Sequence, residues 1–497
     1  MKTKRTLGLA AVSLALLLSI LACSGGVSAP TAVPAKPTAT KEIPAEPTAT
    51  EEAAQPTTAP RNAKPTATEA SAQATEAPAN ATADCSNVPD GELGVAYDRG
   101  YRDNTDSWRV IGLICNNTKE AVSDIELSVE IFDTAGKSID KEENKYAALT
   151  YVGPGEATPF GVEISKDVPD ADTYQVTITN SSSTTLKRAA VESQGVMMVV
   201  DDNGKVQLTG ELVNNGTDPV AINGLAAATF DQNGKMVSAD YSDVLIHYLD
   251  PGKVGPFRIS MNAPKDGADV KDYTLYTDVE TTDTQDFLIS AKDDLTDISE
   301  FFDGNGNYHI AGEMTSSADK TVTVRLLVTL YDKNGNVLDA SYADDPFTSL
   351  APKETVPYEF SLWGPVASKK GTYDAFDKWK IQVDPSLTFA TDTQLVDLTK
   401  SVSDESNAFD KNEGTFNGTV KNTSGGDLKS VMIVVGVYGK KGEKDAGKLL
   451  TTGYGFADFQ DTLANGNSAQ YTVYVAVPTD FDKTKYEYDL IVKGQKP

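Results

Sequence analysis

Histidine occurs twice and cysteine three times in this chain of 497 residues, and it contains no HExxH, no GxSxG and no complete phosphate-binding glycine loop. The usual frameworks for zinc hydrolysis, serine acyl transfer and nucleotide binding are therefore missing. The fragment Ala135-Gly136-Lys137-Ser138 ends like a phosphate loop, but Ile131 stands where its first glycine belongs. Carboxylates are too abundant for any one pair to single out acid–base catalysis, and the chain reads as non-enzymatic. Positive charge is scarce as well: 44 Lys and Arg against 72 Asp and Glu leave a formal charge of −28. Such a surface repels phosphate backbones and anionic lipid, which excludes nucleic acid as an expected partner and electrostatic docking on a membrane. Beyond the first residues no apolar run is long enough to cross a bilayer.

The one long apolar run lies at the start. Met1-Lys2-Thr3-Lys4-Arg5 is a basic leader, Leu7 to Ile20 is apolar, and Ile20-Leu21-Ala22-Cys23 follows. The arrangement resembles the lipobox of bacterial lipoproteins, with Leu21 in place of the more usual small residue. The resemblance implies cleavage after Ala22, lipid on Cys23 and anchoring on the extracytoplasmic side of the cell envelope through two or three acyl chains. An ordinary secretory signal and an uncleaved anchor are the alternatives. Residues 24–84 then hold no aromatic residue and repeat Pro-Thr-Ala-Thr at 37–40, 47–50 and 65–68. With so little apolar surface the segment is expected to be a disordered stalk, reaching at most ~190 Å as extended polyproline.

From residue 85 the composition changes and a pattern repeats four times. "VGPGEATPFGVEI" at 152–164 returns as "LDPGKVGPFRISM" at 249–261, "LAPKETVPYEFSL" at 350–362 and "LANGNSAQYTVYV" at 463–475. Upstream of each lies an alternation around a glycine: Val110-Gly112-Ile114, Leu208-Gly210-Leu212, Ile310-Gly312-Met314 and Phe416-Gly418-Val420. A second alternation follows (for example Leu127, Val129, Ile131), then Phe132, Phe230, Tyr331 or Tyr438, then a turn such as Asp133-Thr-Ala-Gly136 or Asp332-Lys-Asn-Gly335. Period-two alternation marks half-buried strands, and Asp at the head with Gly at the end suits a hairpin turn. The glycine anchors recur every 98, 102 and 106 residues, which makes each copy a whole domain of short strands with turns every 8–12 residues. The expected fold is all-β: four tandem immunoglobulin-like β-sandwiches over 85–187, 188–285, 286–392 and 393–497, after the signal peptide (1–22) and the stalk (23–84).

The run "VTLYD" at 328–332 with "APKETVPYEF", and "VEIFD" at 129–133 with "GPGEATPF", are similar to the FxLYD-type domain, an extracytoplasmic bacterial module. Val328 replaces that motif's Phe, copy 2 reads "AATFD", and in copy 4 Gly439 replaces Asp. The resemblance implies a β-sandwich in the envelope and no catalytic residues.

Cys85 and Cys115 remain as a pair. Cys115 lies three residues after Gly112, on the parity opposite to the apolar face, so a bridge from Cys85 to the outer face of that strand is expected, with two free thiols as the alternative. Asp303, Asn305 and Asn307 begin like a calcium loop but meet Tyr308 where glycine is needed; Ca²⁺ is the one cofactor considered, and hairpin-turn chemistry explains the same residues. Trp363, Tyr373 and Phe376, in the longest insertion of copy 3, are the candidate ligand-contacting aromatics, against the alternative that this loop covers its own domain. His309 reads as a surface residue between Tyr308 and Ile310. The expected function is a lipid-anchored surface arm that contacts an extracellular protein or polysaccharide. A ligand- or carbohydrate-binding accessory subunit and a plain spacer are the other readings.

Overall fold

The computed structural model describes residues 85–497, apart from 104, 165–167, 202–203, 243, 265–268, 286–287, 290, 292–293, 345, 348, 363–375 and 411. Antiparallel strands dominate, with two single-turn 3-10 helices and no α-helix among the described residues. Copy 1 holds β1 (Leu93–Arg102), β2 (Trp108–Asn116), β3 (Ala121–Phe132), β4 (Ser138–Tyr146), β5 (Tyr151–Val152), β6 (Ala157–Glu163) and β7 (Thr173–Thr184). Copy 2 repeats the order as β8 (Glu192–Val200), β9 (Val206–Val213), β10 (Val220–Asp231), β11 (Met236–Ser242), β12 (Tyr248–Leu249), β13 (Val254–Met261) and β14 (Val270–Thr281). In copy 3 come β15 (Leu295–Phe302), β16 (Tyr308–Thr315), β17 (Val322–Thr323), β18 (Arg325–Asp332), β19 (Val337–Asp344), β20 (Thr355–Leu362), β21 (Phe376–Val383) and β22 (Phe389–Ala390). Copy 4 has β23 (Leu395–Asp397), β24 (Val402–Phe409), β25 (Glu413–Lys421), β26 (Ser430–Gly439), β27 (Leu449–Asp458), β28 (Ser468–Ala476) and β29 (Tyr486–Gln495).

Each copy folds into two layers. The front sheets are β1-β2-β6, β8-β9-β13, β15-β16-β20 and β24-β25-β28; the back sheets are built on β3, β10, β18 and β26. In copy 4 the layers join where β27 pairs with β28 at Ala457↔Tyr471. Between the layers of every copy lies an apolar core, from Val110, Leu127 and Phe160 in the first to Phe416, Ile433 and Val473 in the fourth.

The thirteen-residue repeat has three mechanical parts. It begins with a turn in which Gly155, Gly252, Lys353 and Gly466 take positive φ (75°, 73°, 63° and 86°), with proline just before the first three. The hydrogen bonds Glu156 N–Gly153 O, Lys253 N–Asp250 O, Glu354 N–Ala351 O and Asn467 N–Ala464 O close it, as in a type II turn. Next, Phe160, Phe257, Tyr358 and Tyr471 pair in register with Gly112, Gly210, Gly312 and Gly418. A Cβ on any of those glycines would collide with the ring opposite, so the repeated glycine is the seat of the repeated aromatic. Last, a buried asparagine ties the turn to the core. Asn116, Asn214 and Asn422 each donate their amide to two carbonyls: those of Glu120 and Val152, Asp218 and Leu249, and Gly426 and Leu463. Ser316 stands there in copy 3, and its hydroxyl is buried without a partner.

The copies also pack on one another, always by the same faces. The front sheet of one lies against the back sheet of the next. Ala226, Ala228, Met236 and Ala239 of copy 2 therefore extend the core of copy 1, Leu327 and Ala340 extend that of copy 2, and Val434 that of copy 3. The carbonyl of the first residue of β11, β19 and β27 accepts a bond from the preceding copy each time: Tyr97 and Arg99 to Met236, Thr209 to Val337, Ser299 to Leu449. Tyr331 and Tyr438 donate to Glu211 (2.5 Å) and Glu313 (2.9 Å) across successive junctions.

Cys85 and Cys115 form a disulfide with their Cα atoms 5.7 Å apart. The bridge lies on the outer face of β2 as expected, and Cys115 is fully buried there. The segment 85–92 folds back over it, with Val88 against Gly94 and Asn117 Nδ2 donating to the carbonyls of Cys85 and Val88.

Candidate functional site

Cys23, Trp363 and Tyr373 lie outside the described residues, as do the signal peptide and the stalk. Phe376 opens β21 half-buried, its ring 5.3 Å from Tyr308, and so packs on its own core. Asp303 Oδ1 accepts the backbone N–H groups of Asn305 and Asn307, both at 2.8 Å, and Oδ2 accepts from the Asn307 amide. Asp103, Asp133, Asp231 and Asp332 hold their own turns in the same way. The acidic triplet is thus a turn lock, and no cluster of three metal-ligating side chains occurs among the described residues.

His309 is not on the surface. Its side chain is 4% exposed, Nδ1 lies 2.7 Å from Glu359, Nε2 lies 3.4 Å from Asp303, and its ring stacks on Phe301 at 4.8 Å. Glu359 in turn accepts from Thr451 Oγ1 (2.9 Å) and Thr452 N (3.0 Å) of copy 4, and Thr479 Oγ1 donates to the Asp303 carbonyl. Burial pulls the imidazole pKa down, but the Glu359 hydrogen bond and the charges of Glu359 and Asp303 outweigh it, and the net shift is upward from 6.5. The chain's other histidine, His247, pairs with Asp384 across the copy 2–3 junction at 2.9 Å. His247 therefore joins two copies directly, and His309 braces Glu359, which joins copy 3 to copy 4.

A concave feature lies in copy 4. An open-mouthed cleft of about 290 Å³ lies between the end of β24 and the start of β29. Phe409, Phe481, Tyr486 and Tyr488 line it with half-buried rings, and Asn407, Lys483 and Glu487 stand exposed around them. The rings brace one another: Phe409 on Phe416 (5.4 Å) and Phe481 (5.0 Å), Phe481 on Tyr486 (4.6 Å), and Tyr488 on Phe416 (5.0 Å). In copies 1 and 3 the same side of the sandwich is drawn shut, by Tyr174 OH to Asp98 at 2.7 Å and by Trp379 Nε1 to Glu300 at 2.9 Å. In copy 4 the equivalent tie, Tyr488 OH to Glu405, is 3.5 Å long, at the limit of a hydrogen bond. Burial comes first among the causes that raise the Tyr486 phenol pKa, followed by the charges of Asp445, Asp480, Asp482 and Glu443. The sequence reading passed over this site because Phe481 belongs to no repeated position and Phe409, which stands where copy 3 has Phe302, lies on a strand whose alternation was not followed.

No family model matches the chain, and no curated protein does. Two solved structures of Escherichia coli alpha-2-macroglobulin, one in its native conformation and one activated by porcine elastase, align with 80% of this chain at 10% and 9% identity. The TM-score is 0.11 in both cases, and the chain spans 28% and 43% of those proteins.

Proposed function

We propose that the protein is a non-enzymatic lipoprotein, anchored through Cys23 on the extracytoplasmic side of the cell envelope, whose packed β-sandwiches present a contact surface to an extracellular polymer or protein. The observation that carries this reading is the burial of the junctions. Sandwiches joined by whole sheet faces hold their relative positions, whereas copies on loose linkers would not. A body held in this way, on a stalk free of aromatic residues, suits presentation at a distance from a membrane. The Ile20-Leu21-Ala22-Cys23 run and the resemblance of "VTLYD" to FxLYD-type domains support the envelope setting.

The test is capture. Residues 85–497, made as a soluble protein, are incubated with isolated envelope and extracellular polymer fractions of the source cell. Saturable retention by one fraction is expected. No retention by any fraction would leave a spacer and overturn the reading.

A further inference from the structure

We infer that the aromatic cleft of copy 4 is a binding site for an uncharged saccharide. This inference deepens the reading above and rests on it. Three features of the site point to this chemistry. First, its wall is aromatic and only half-buried, which offers ring surface to the C–H face of a pyranose, and about 290 Å³ is room for a sugar ring or two. Second, its polar groups are mixed. Asn407 has both a donor and an acceptor, Lys483 donates and Glu487 accepts, which suits hydroxyls that do both. Third, the charges argue against an ion. Lys483 and Glu487 balance each other at the wall, Lys485 offsets Asp482 at 3.7 Å, and Asp445, Asp480 and Glu443 add negative charge around Tyr486, so an anionic ligand is disfavoured.

The copy-to-copy comparison adds a reason for the cleft to exist. Copies 1 and 3 spend their last-strand aromatic on a short bond that closes this side of the sandwich. Copy 4 leaves the closure long and lines the opening with Phe409, Phe481 and Tyr486; in copy 3 the counterparts Phe302 and Phe376 pack on Tyr308, where copy 4 has Gly414. Tyr474 and Tyr454 are more exposed, but each stands on an open strand face away from the lining of the cleft.

The experiment uses the lipid-free chain, residues 24–497. It is titrated calorimetrically with chitotetraose, cellotetraose and mannotetraose as uncharged probes and with polygalacturonate as an anionic one. Saturable binding of at least one uncharged probe is expected, with none for polygalacturonate. Tyr486→Ala and Asn407→Ala should each weaken that binding about tenfold or more, while Tyr474→Ala leaves it unchanged. Asn407 is exposed, so its variant keeps the test valid if Tyr486→Ala unfolds copy 4; a thermal melt of each variant decides that. Absence of binding to all uncharged probes, or binding that survives Asn407→Ala and Tyr486→Ala in folded protein, would overturn the inference. Envelope capture that persists in the Asn407→Ala variant would then show that the presenting role stands and the saccharide site does not.

Discussion

The front sheets of copies 1–3 and of copy 4 have the same strands, the same glycine seat and the same aromatic, yet their outward rows differ. In copies 1–3 the residue before the aromatic is Pro159, Pro256 or Pro357, each buried at a junction; in copy 4 it is Gln470, exposed. The rest of the copy 4 row is Thr415, Asn417, Thr419, Thr472 and Tyr474. The back sheets mirror this. Outward positions in copies 2–4 carry Ala226, Ala228, Leu327 and Val434, all buried, while copy 1 has Glu126, Ser128 and Glu130 on β3. The core row makes a sandwich, and the outward row decides whether that sandwich takes a neighbour. Polar outer rows on the first and last copies are how repeat arrays end without aggregating.

The sharpest way to break this comparison is to place the same charge on both kinds of face. Ala311 lies between Ser299 and Glu359 in the register of copy 3 and is fully buried against copy 4. Asn417 occupies the equivalent position in copy 4 and faces outward. Ala311→Glu buries an unpaired carboxylate beside Glu359, and a loss of about 3–5 kcal/mol is expected. Asn417→Glu should stay within about 0.5 kcal/mol. Urea unfolding of both variants measures the difference. Equal losses would mean that the copy 4 face is covered as well.

The same contrast explains what could be read in advance. Alternation gave the core-facing residues, because each copy closes its own two layers over one row of alternate residues and period two depends only on that. The turns were legible through Asp and Gly. What failed was one assumption, that the parity opposite the core faces water. It put His309 on the surface, whereas the bridge from Cys85 to the outer face at Cys115, read from the same parity, is present. The assumption also left the small outward residues Ala226 and Ala228 unexplained, which are small because a second sheet packs on them. Junctions join residues more than a hundred positions apart, as Tyr331 to Glu211 shows, and no local pattern announces them. The cleft was illegible for a related reason: its rings come from three separated segments, the end of β24, the 481 turn and the start of β29.

A second comparison sets copy 3 against the others at the repeat's own turn. Asn422 bonds two carbonyls from a fully buried position, and Asn422→Ala leaves both without that partner; a loss of about 1–3 kcal/mol is expected. Copy 3 lacks the device. Ser316 is buried and unsatisfied, and Lys353 takes the left-handed conformation that glycine takes elsewhere. Installing the pattern of the other copies with Ser316→Asn and Lys353→Gly should therefore gain about 1 kcal/mol, chiefly from relief of the left-handed lysine. Denaturant midpoints measure both. A loss in the double variant would mean that copy 3 is adapted to its serine.

The smallest expected effect is a slope with pH. His309 has its pKa raised in the folded protein because Glu359 and Asp303 favour the imidazolium. The unfolded chain titrates near 6.5, so the stabilisation is fully present below that value and is lost as pH rises through the higher folded pKa. Asp303 has its own pKa lowered: burial opposes the charge, but bonds from Asn305 and Asn307 and the charge of His309 prevail. It therefore stays ionised throughout this window and does not contribute to the slope. Stability measured from about pH 6 to about pH 9 should fall in the parent chain and stay flatter in His309→Gln, which keeps a donor toward Glu359 without the proton. Because Glu359 also holds Thr451 and Thr452, the fall belongs to the junction between copies 3 and 4. It should disappear in Ala311→Glu, where that junction is already broken. A slope that survives there would assign the titration to another group and leave His309 as a neutral part of the joint.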